Sequence, residues 1–360
     1  CRAGESLGDG NLINKIKNKF RDEKVRAGLL AIFMSLTSII IILEFTDTSL
    51  SWKMASLVRP EFLLLGLALH MFSWVFYAVR LRLLASLAGH DITFRLSLIS
   101  TLASNFLGAL TPSSAGGEPL RIKILADDGM SYGSATAVAV GERLLDSIFF
   151  VGALAVFLIF TNFLTGFGIK VGAFFLFLLI LLLAFLWQLV SRPERISAFI
   201  AWIKRKTGNR PIVYSLEKEI WAFRDAGIQL ARETVRHTPA MAAVTAMIWM
   251  CDFLVPSALL IGMGSDPSYL LSITSQIILA IIAILPLTPG GSGVAELSMS
   301  FLYSKFVPPL LLGPLVILWR LATYFSNIVV GAAFAVECDP LKAASLMIDH
   351  IESQRRKLGL

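Results

Sequence analysis

Two arginines stand inside long apolar runs: Arg143 in GERLLDSIFF and Arg320 in LWRLATYFSN. A guanidinium at the centre of a bilayer costs about 2.5–3.5 kcal/mol even on the mild insertion scale, so each needs a partner or a wet cavity. The chemistry such a residue supports is anion recognition, because its planar fork holds a phosphate or carboxylate by paired, charge-assisted hydrogen bonds. Structural pairing is the competing reading. Asp146 lies three residues after Arg143, on the same helical face, and Glu142 adjoins it. Arg320 has no acid nearby in sequence, which leaves Glu296 or Asp252 as distant partners. Asp252, mid-run in WMCDFLVP, is itself a coupling or pairing acid. Tyr324 and Asn327 follow Arg320 at four and seven positions and continue one polar stripe.

The second set of candidates interrupts the apolar runs. LTPSSAGGEPLRIKIL (110–125) and LTPGGSGVAELSMSFL (287–302) each carry a Thr-Pro, a glycine cluster and a glutamate. Glu118 and Glu296 fall near the start of the helical segment that follows, where a carboxylate suits the positive end of the helix dipole. They read either as cap-like stabilisers that pair across the bundle or as gating acids beside an anion. Gly116, Gly117, Gly290, Gly291 and Gly293 let backbone amides approach an anion at a helix N-terminus. Simple turns would need the same glycines. Arg121 and Lys123 read as inner-surface anchors or as gatherers of anionic head groups.

The elements that position these residues follow from composition. The chain has 360 residues, is 56% hydrophobic and only 16% charged, with a mean hydropathy of +0.73. No soluble domain hides that much apolar surface, so the chain is polytopic in a membrane. Apolar windows fall at 27–43, 61–77, 96–111, 134–160, 171–190, 240–261, 270–287 and 310–336. The first lacks a nearby small-residue cleavage site and reads as a retained helix. Residues 191–239 read as an amphipathic helix pair on the membrane surface or as a solvated connector. The tryptophans read as interfacial or packing residues.

Orientation follows from Lys and Arg. They number 24 over 1–26, 78–95, 191–239 and 337–360, against four over 44–60, 161–170, 262–269 and 296–309. The rich group is cytoplasmic and the poor group external. That assignment is consistent only if 96–126 and 270–306 each enter and leave on one side, as re-entrant hairpins whose tips are the Thr-Pro-Gly stretches. Helix-free backbone at that depth must be shielded by protein or line a cavity. The two halves then run in opposite directions. Glu118 precedes Arg143 by 25 positions and Glu296 precedes Arg320 by 24, which points to an internal duplication. The expected architecture is an all-α polytopic membrane protein: an inverted-topology repeat with six full spans, two re-entrant helical hairpins and both termini cytoplasmic. Its parts are a basic N-terminus (1–26), a first repeat (27–160) and an external loop followed by helix 171–190 and the cytoplasmic segment 191–239. The rest of the second repeat (240–336) and a tail (337–360) complete it.

The run Gly-Gly-Glu-Pro-Leu-Arg (116–121), Glu-Arg-x-x-Asp (142–146), Pro-Gly-Gly-x-Gly-x-x-Glu (289–296) and Arg-x-x-x-Tyr (320–324) resemble the lysylphosphatidylglycerol synthase transmembrane-region family over roughly residues 25–338. The resemblance implies a flippase-like role, in which a lipid or lipid-linked head group moves between leaflets. Some members carry a fused aminoacyl-transferase domain. The short tail here leaves no place for it, so synthase activity is not expected. Other members work beside glycosyltransferases on polyprenyl-phosphate carriers.

No G-x-S-x-G elbow, H-E-x-x-H or phosphate-loop signature is present, and the four histidines and three cysteines are scattered. No catalytic residue, metal or cofactor is expected. The sequence thus points to transbilayer transfer of an anionic phospholipid or polyprenyl-phosphate-linked lipid in the cell membrane. The head group would be held by Arg143, Arg320 and the half-helix amides. An integral-membrane enzyme acting on lipid phosphates, or a non-transporting partner of a membrane glycosyltransferase, are the alternatives.

Overall fold

The computed structural model describes residues 58–111, 116–161, 165–207, 211–284 and 291–337. All regular structure among them is helical. In chain order the helices are α1 (Pro60–Leu87), α2 (Phe94–Ala109), α3 (Gly117–Asp127), α4 (Tyr132–Thr161), α5 (Thr165–Ser191) and α6 (Pro193–Thr207). They continue with α7 (Pro211–Arg236), α8 (Thr238–Gly262), α9 (Tyr269–Ala283), α10 (Val294–Tyr303), α11 (Pro309–Arg320) and α12 (Ser326–Glu337). A π-helical turn, Leu321–Phe325, joins the last two immediately after Arg320. Five helical stretches are long and apolar enough to cross a membrane: 60–87, 132–161, 166–191, 238–262 and 309–334. The expected first span, 27–43, lies outside the described residues, as do Gly290 and most of both hairpin tips.

Local chemistry sets the boundaries. Pro60 and Pro309 open α1 and α11, where a missing N–H is no loss. The Thr93 hydroxyl accepts the Leu96 N–H at 3.2 Å and caps α2. At the start of α10, Gly293 has φ +85° and its N–H donates to the Glu296 carboxylate at 2.6 Å. The glutamate thus fills the helix N-terminus of its own element.

α1 and α8 lie along each other at the centre of the bundle, α2 packs against α3 and α12, and α9 packs against α10 and α4. Two apolar clusters result. One gathers Leu81, Leu84, Leu125, Ala135, Val138 and Leu230. The other gathers Phe150, Phe253, Leu259, Ile277, Met299 and Leu315. The outer faces are apolar as well: Phe177, Ile180, Phe185 and Trp187 on α5 are all exposed. In a membrane protein such a surface meets acyl chains, which solvate it as well as protein would.

Two elements reach further than their sequence patterns. The apolar window 61–77 continues as α1 to Leu87, and the Arg80 side chain beyond the window is fully buried, because carboxylates on α4 hold it there. Within 191–239, the expected amphipathic pair or solvated connector, α7 packs along α4 and buries Val213, Ala226 and Leu230, so one of its faces is covered by protein. The Gly133 N–H donates to Glu219 at 2.6 Å, and a Cβ on Gly133 would meet the Glu219 carbonyl at 2.0 Å.

α2 and α3 approach closely through small residues. Ser97, Ser100, Thr101 and Ser104 are buried on α2, and a Cβ at Gly117 would stand 2.6 Å from the Ser104 carbonyl oxygen. Gly117 is therefore a packing requirement of the α2–α3 contact. The variant G117A should lose about 1–3 kcal/mol through forced displacement of backbone. G141A, where a Cβ meets nothing within 4 Å, should be neutral or stabilising by about 0.5–1 kcal/mol. Thermal unfolding of the two variants in detergent checks the contrast.

Candidate functional site

Polar side chains in α1, α3, α4 and α8 converge between the two apolar clusters. Arg80 donates to Asp146 through both terminal nitrogens, at 2.6 and 3.3 Å, and to the Thr245 hydroxyl at 3.3 Å. Its Nε lies 3.7 Å from Glu142. Glu142 is held at 2.5 Å by Arg121, and Asp146 also accepts the Trp249 indole N–H at 2.8 Å. Glu118 binds Arg143 at 2.9 Å, and Arg143 reaches Asp146 at 3.5 Å. Three guanidinium groups and three carboxylates thus form one connected network. Its formal charge closes to zero, which is what a low-dielectric site requires.

The second half has a smaller version. Arg320 binds Glu296 at 2.9 Å, and both are buried. The guanidinium also lies over the rings of Trp319 and Tyr324, at 5.1 and 4.9 Å, and approaches the Gly291 carbonyl at 3.5 Å. Gly291 has φ +68° and Gly293 φ +85°, conformations that favour glycine. The Tyr324 hydroxyl donates to the Ala109 carbonyl at 3.2 Å, the last residue of α2. Asn327 accepts from Trp74 at 3.0 Å and from Asn105 at 3.4 Å.

The sequence-predicted residues therefore fall into two groups. Glu118, Arg121, Glu142, Arg143 and Asp146 meet around α4, while Glu296, Arg320, Tyr324 and Gly291 meet around α11. Arg121, expected at the inner surface, is buried and pairs with Glu142 at 2.5 Å. Lys123 pairs with Asp127 at 2.7 Å. Asp252 pairs with His70 at 2.7 Å, so the partner of Arg320 is Glu296. Sequence reasoning missed Arg80, His70 and Thr245. The available signal was helical phase, since His70, Ser73, Tyr77 and Arg80 follow one another at three- and four-residue steps.

The two halves share one feature to within a residue. Each has a glutamate just after a glycine cluster, bound at 2.9 Å to an arginine 24 or 25 positions later. They differ in access. The Arg143 side chain is 48% exposed and that of Glu118 33%, whereas Arg320 is 5% and Glu296 0% exposed.

Residues 27–331 match the family model described as the lysylphosphatidylglycerol synthase TM region. The chain is 37% identical to a UPF0104 membrane protein of Archaeoglobus fulgidus, over 84% of this chain and 94% of that one. It is 23% identical to a UPF0104 membrane protein of Methanocaldococcus jannaschii, over 86% of this chain and 94% of the relative. A UPF0104 membrane protein of Pyrococcus horikoshii is 24% identical over 76% of this chain and 86% of its own length. No solved structure matches the chain.

Charge closure makes a direct prediction about Arg80. Removing it alone leaves an uncompensated carboxylate, so R80M should cost about 3–5 kcal/mol. Adding D146L removes one charge of each sign and leaves Glu142 with Arg121 and Glu118 with Arg143. The double variant should therefore be more stable than R80M alone, as read from thermal unfolding in detergent.

Proposed function

Because this chain belongs to the lysylphosphatidylglycerol synthase TM region family, we propose that it carries an anionic lipid, a phospholipid or a polyprenyl-phosphate-linked lipid, between bilayer leaflets. The observation that supports this most directly is the duplicated Glu–Arg pair beside a glycine-rich break in each half. On this reading the halves are inverted repeats, and α2–α3 and α9–α10 are re-entrant hairpins. The protein sits in the cell membrane with both termini cytoplasmic, and it acts as a carrier, not an enzyme.

The mechanism follows from what the carboxylates do. Glu118 on Arg143 and Glu296 on Arg320 occupy the positions a phosphate would take. Glu296 also accepts the Gly293 amide at the start of α10, a natural anion position. A lipid phosphate must therefore displace a resident carboxylate. The exchange keeps the local charge balanced, since one anion replaces another on the same guanidinium. Arg143, the exposed member, receives the head group first, while Arg320 is closed. The acyl or prenyl chains stay in the bilayer and slide along the apolar outer faces.

Reconstitution in phosphatidylcholine vesicles with a fluorescent phosphatidylglycerol, followed by reduction of outer-leaflet dye, measures the transfer. R143Q and R320Q should each lower the rate about ten- to a hundredfold, because each loses a charge-assisted contact of about 1.5–3 kcal/mol. Lysine should rescue poorly. E118Q should bind glycerol phosphate more tightly than wild type, since the internal competitor is gone. Undiminished transfer in both arginine variants, at equal levels of folded protein, would sink the proposal.

A further inference from the structure

On the outside of the second half, α5, α9 and α10 border an open recess of about 300 Å³ lined by Phe167, Ile282, Leu297, Ser298, Phe301 and Leu302. Only Ser298 among them is polar. The rings of Phe167 and Phe301 meet edge to face at 5.9 Å, which joins the start of α5 to α10. Helical phase divides α10 into two faces. Leu297 and Phe301 are 55% and 48% exposed, whereas Glu296, Met299 and Tyr303 have no exposure. The recess therefore lies on the face of α10 turned away from the Glu296–Arg320 pair.

We propose that this recess is a resident-lipid site, which takes one acyl chain of an anionic phospholipid and holds its phosphate with Lys305 and Lys170. The recess opens through exposed apolar side chains toward the bilayer, where acyl chains and not water are present to fill it. About 300 Å³ admits part of one chain. It excludes a helix, which is about 10–12 Å across with its side chains, so a second copy of this protein is not the occupant. Lys305 follows α10 by two residues, and its ammonium lies over the Phe301 ring at 5.0 Å, beside the recess. Lys170 is exposed three positions after Phe167 on α5.

Charge complementarity selects the lipid. Lys123 and Lys204 bind Asp127 and Glu217, whereas Lys170 and Lys305 have no carboxylate partner among the described residues. Asp266, in the turn before α9, accepts the Ser268 N–H at 2.8 Å and pairs with neither lysine. A long basic side chain on an apolar surface lays its stem along that surface and carries its ammonium to the head-group level. A phosphatidylglycerol arrives there with a net negative charge, while phosphatidylcholine brings its own cation and gains less. The seated chain braces α10 against α5 from outside. The site is distinct from the anion positions at Arg143 and Arg320, so it does not rest on the carrier reading.

The test places the full chain in phosphatidylcholine vesicles with a trace of phosphatidylglycerol that carries a photoreactive diazirine in one acyl chain. After illumination, proteolysis and mass spectrometry should find adducts concentrated on Val294–Tyr303 and at Phe167. The equally apolar and exposed Phe177 and Phe185 of α5 should be labelled weakly. Unlabelled phosphatidylglycerol should compete the adduct away, and the same addition of phosphatidylcholine should not. K170Q and K305Q should each weaken that competition about fivefold, and the double variant should lose the preference. Both lysines are exposed, so the variants keep the fold. R143Q should retain the adduct, because Arg143 lies on α4 away from the recess; loss of the adduct there would mark a carried lipid and overturn the resident site. Adducts spread evenly over the exposed faces, or unchanged competition in the double lysine variant, would overturn it as well. No step measures lipid transfer, so the recess and the carrier reading stand or fall separately.

Discussion

The bundle depends on one constraint: charge placed inside an apolar protein must be cancelled locally. Arg80 shows it most plainly. Its side chain has no access to solvent, and it bridges α1 to α4 through Asp146 and to α8 through Thr245. Leu81 and Leu84, just beyond it on α1, belong to one apolar cluster, and Leu69, before it, packs against the other. The network therefore lies between two regions that gain stability from apolar packing, and it gains little by itself. A buried ion pair seldom stabilises more than the apolar residues that would replace it. What it does is fix geometry, because the forked contact with Asp146 tolerates little sliding of α1 on α4.

The same constraint gives the glutamates their double character. A carboxylate near Arg143 or Arg320 is needed for the empty protein to exist in a membrane at all. On the proposed reading it is also the group that an incoming phosphate would have to replace. The two demands do not conflict, since the stability requirement is for an anion on the guanidinium and not for a particular one. On the proposed carrier reading, a site built this way would exchange anions without passing through a bare buried arginine, which is the costly state. The hydroxyl-rich faces of α2 and α9, with Ser97, Ser100 and Thr101 on one and Ser272, Thr274 and Ser275 on the other, let neighbouring helices approach closely without adding charge.

Much of this was legible in the sequence, for physical reasons. Hydrophobic runs long enough to span a bilayer need no tertiary information, and the helices α1, α4, α5, α8 and α11–α12 follow from them. The Glu118–Arg143 and Glu296–Arg320 relations were visible as a repeated spacing of 25 and 24 positions. Arg80 was not visible. Charge counting assigns an arginine at the end of an apolar window to the flank, and only the position of Asp146 on another helix reveals that α1 continues past it. The burial of Arg121 was hidden for the same reason, since its partner Glu142 lies 21 residues away. The packing of α7 on α4 was hidden because an amphipathic face looks the same whether lipid head groups or another helix covers it. His70 and Asp252 lie 182 positions apart, and no local pattern connects them.

The difference in exposure between the two Glu–Arg pairs bears on how the two are coupled. If the two halves were equivalent in every respect, both arginines would have equal access to their surroundings. Instead Arg143 is half open while Arg320 is closed under Trp319 and Tyr324. The π-helical turn begins one residue after Arg320 and has no counterpart after Arg143, where α4 continues unbroken to Thr161. Such a turn changes the phase of the residues beyond it and is a low-cost place for a helix to rearrange. It sets Tyr324 against the end of α2 and Asn327 against Trp74 of α1, which ties the closed pair in the second half to elements of the first. Opening Arg320 would loosen those ties and so disturb α2, whose companion α3 carries Glu118. The asymmetry is therefore accompanied by a physical link between the two Glu–Arg pairs, carried by a handful of hydrogen bonds around one irregular turn.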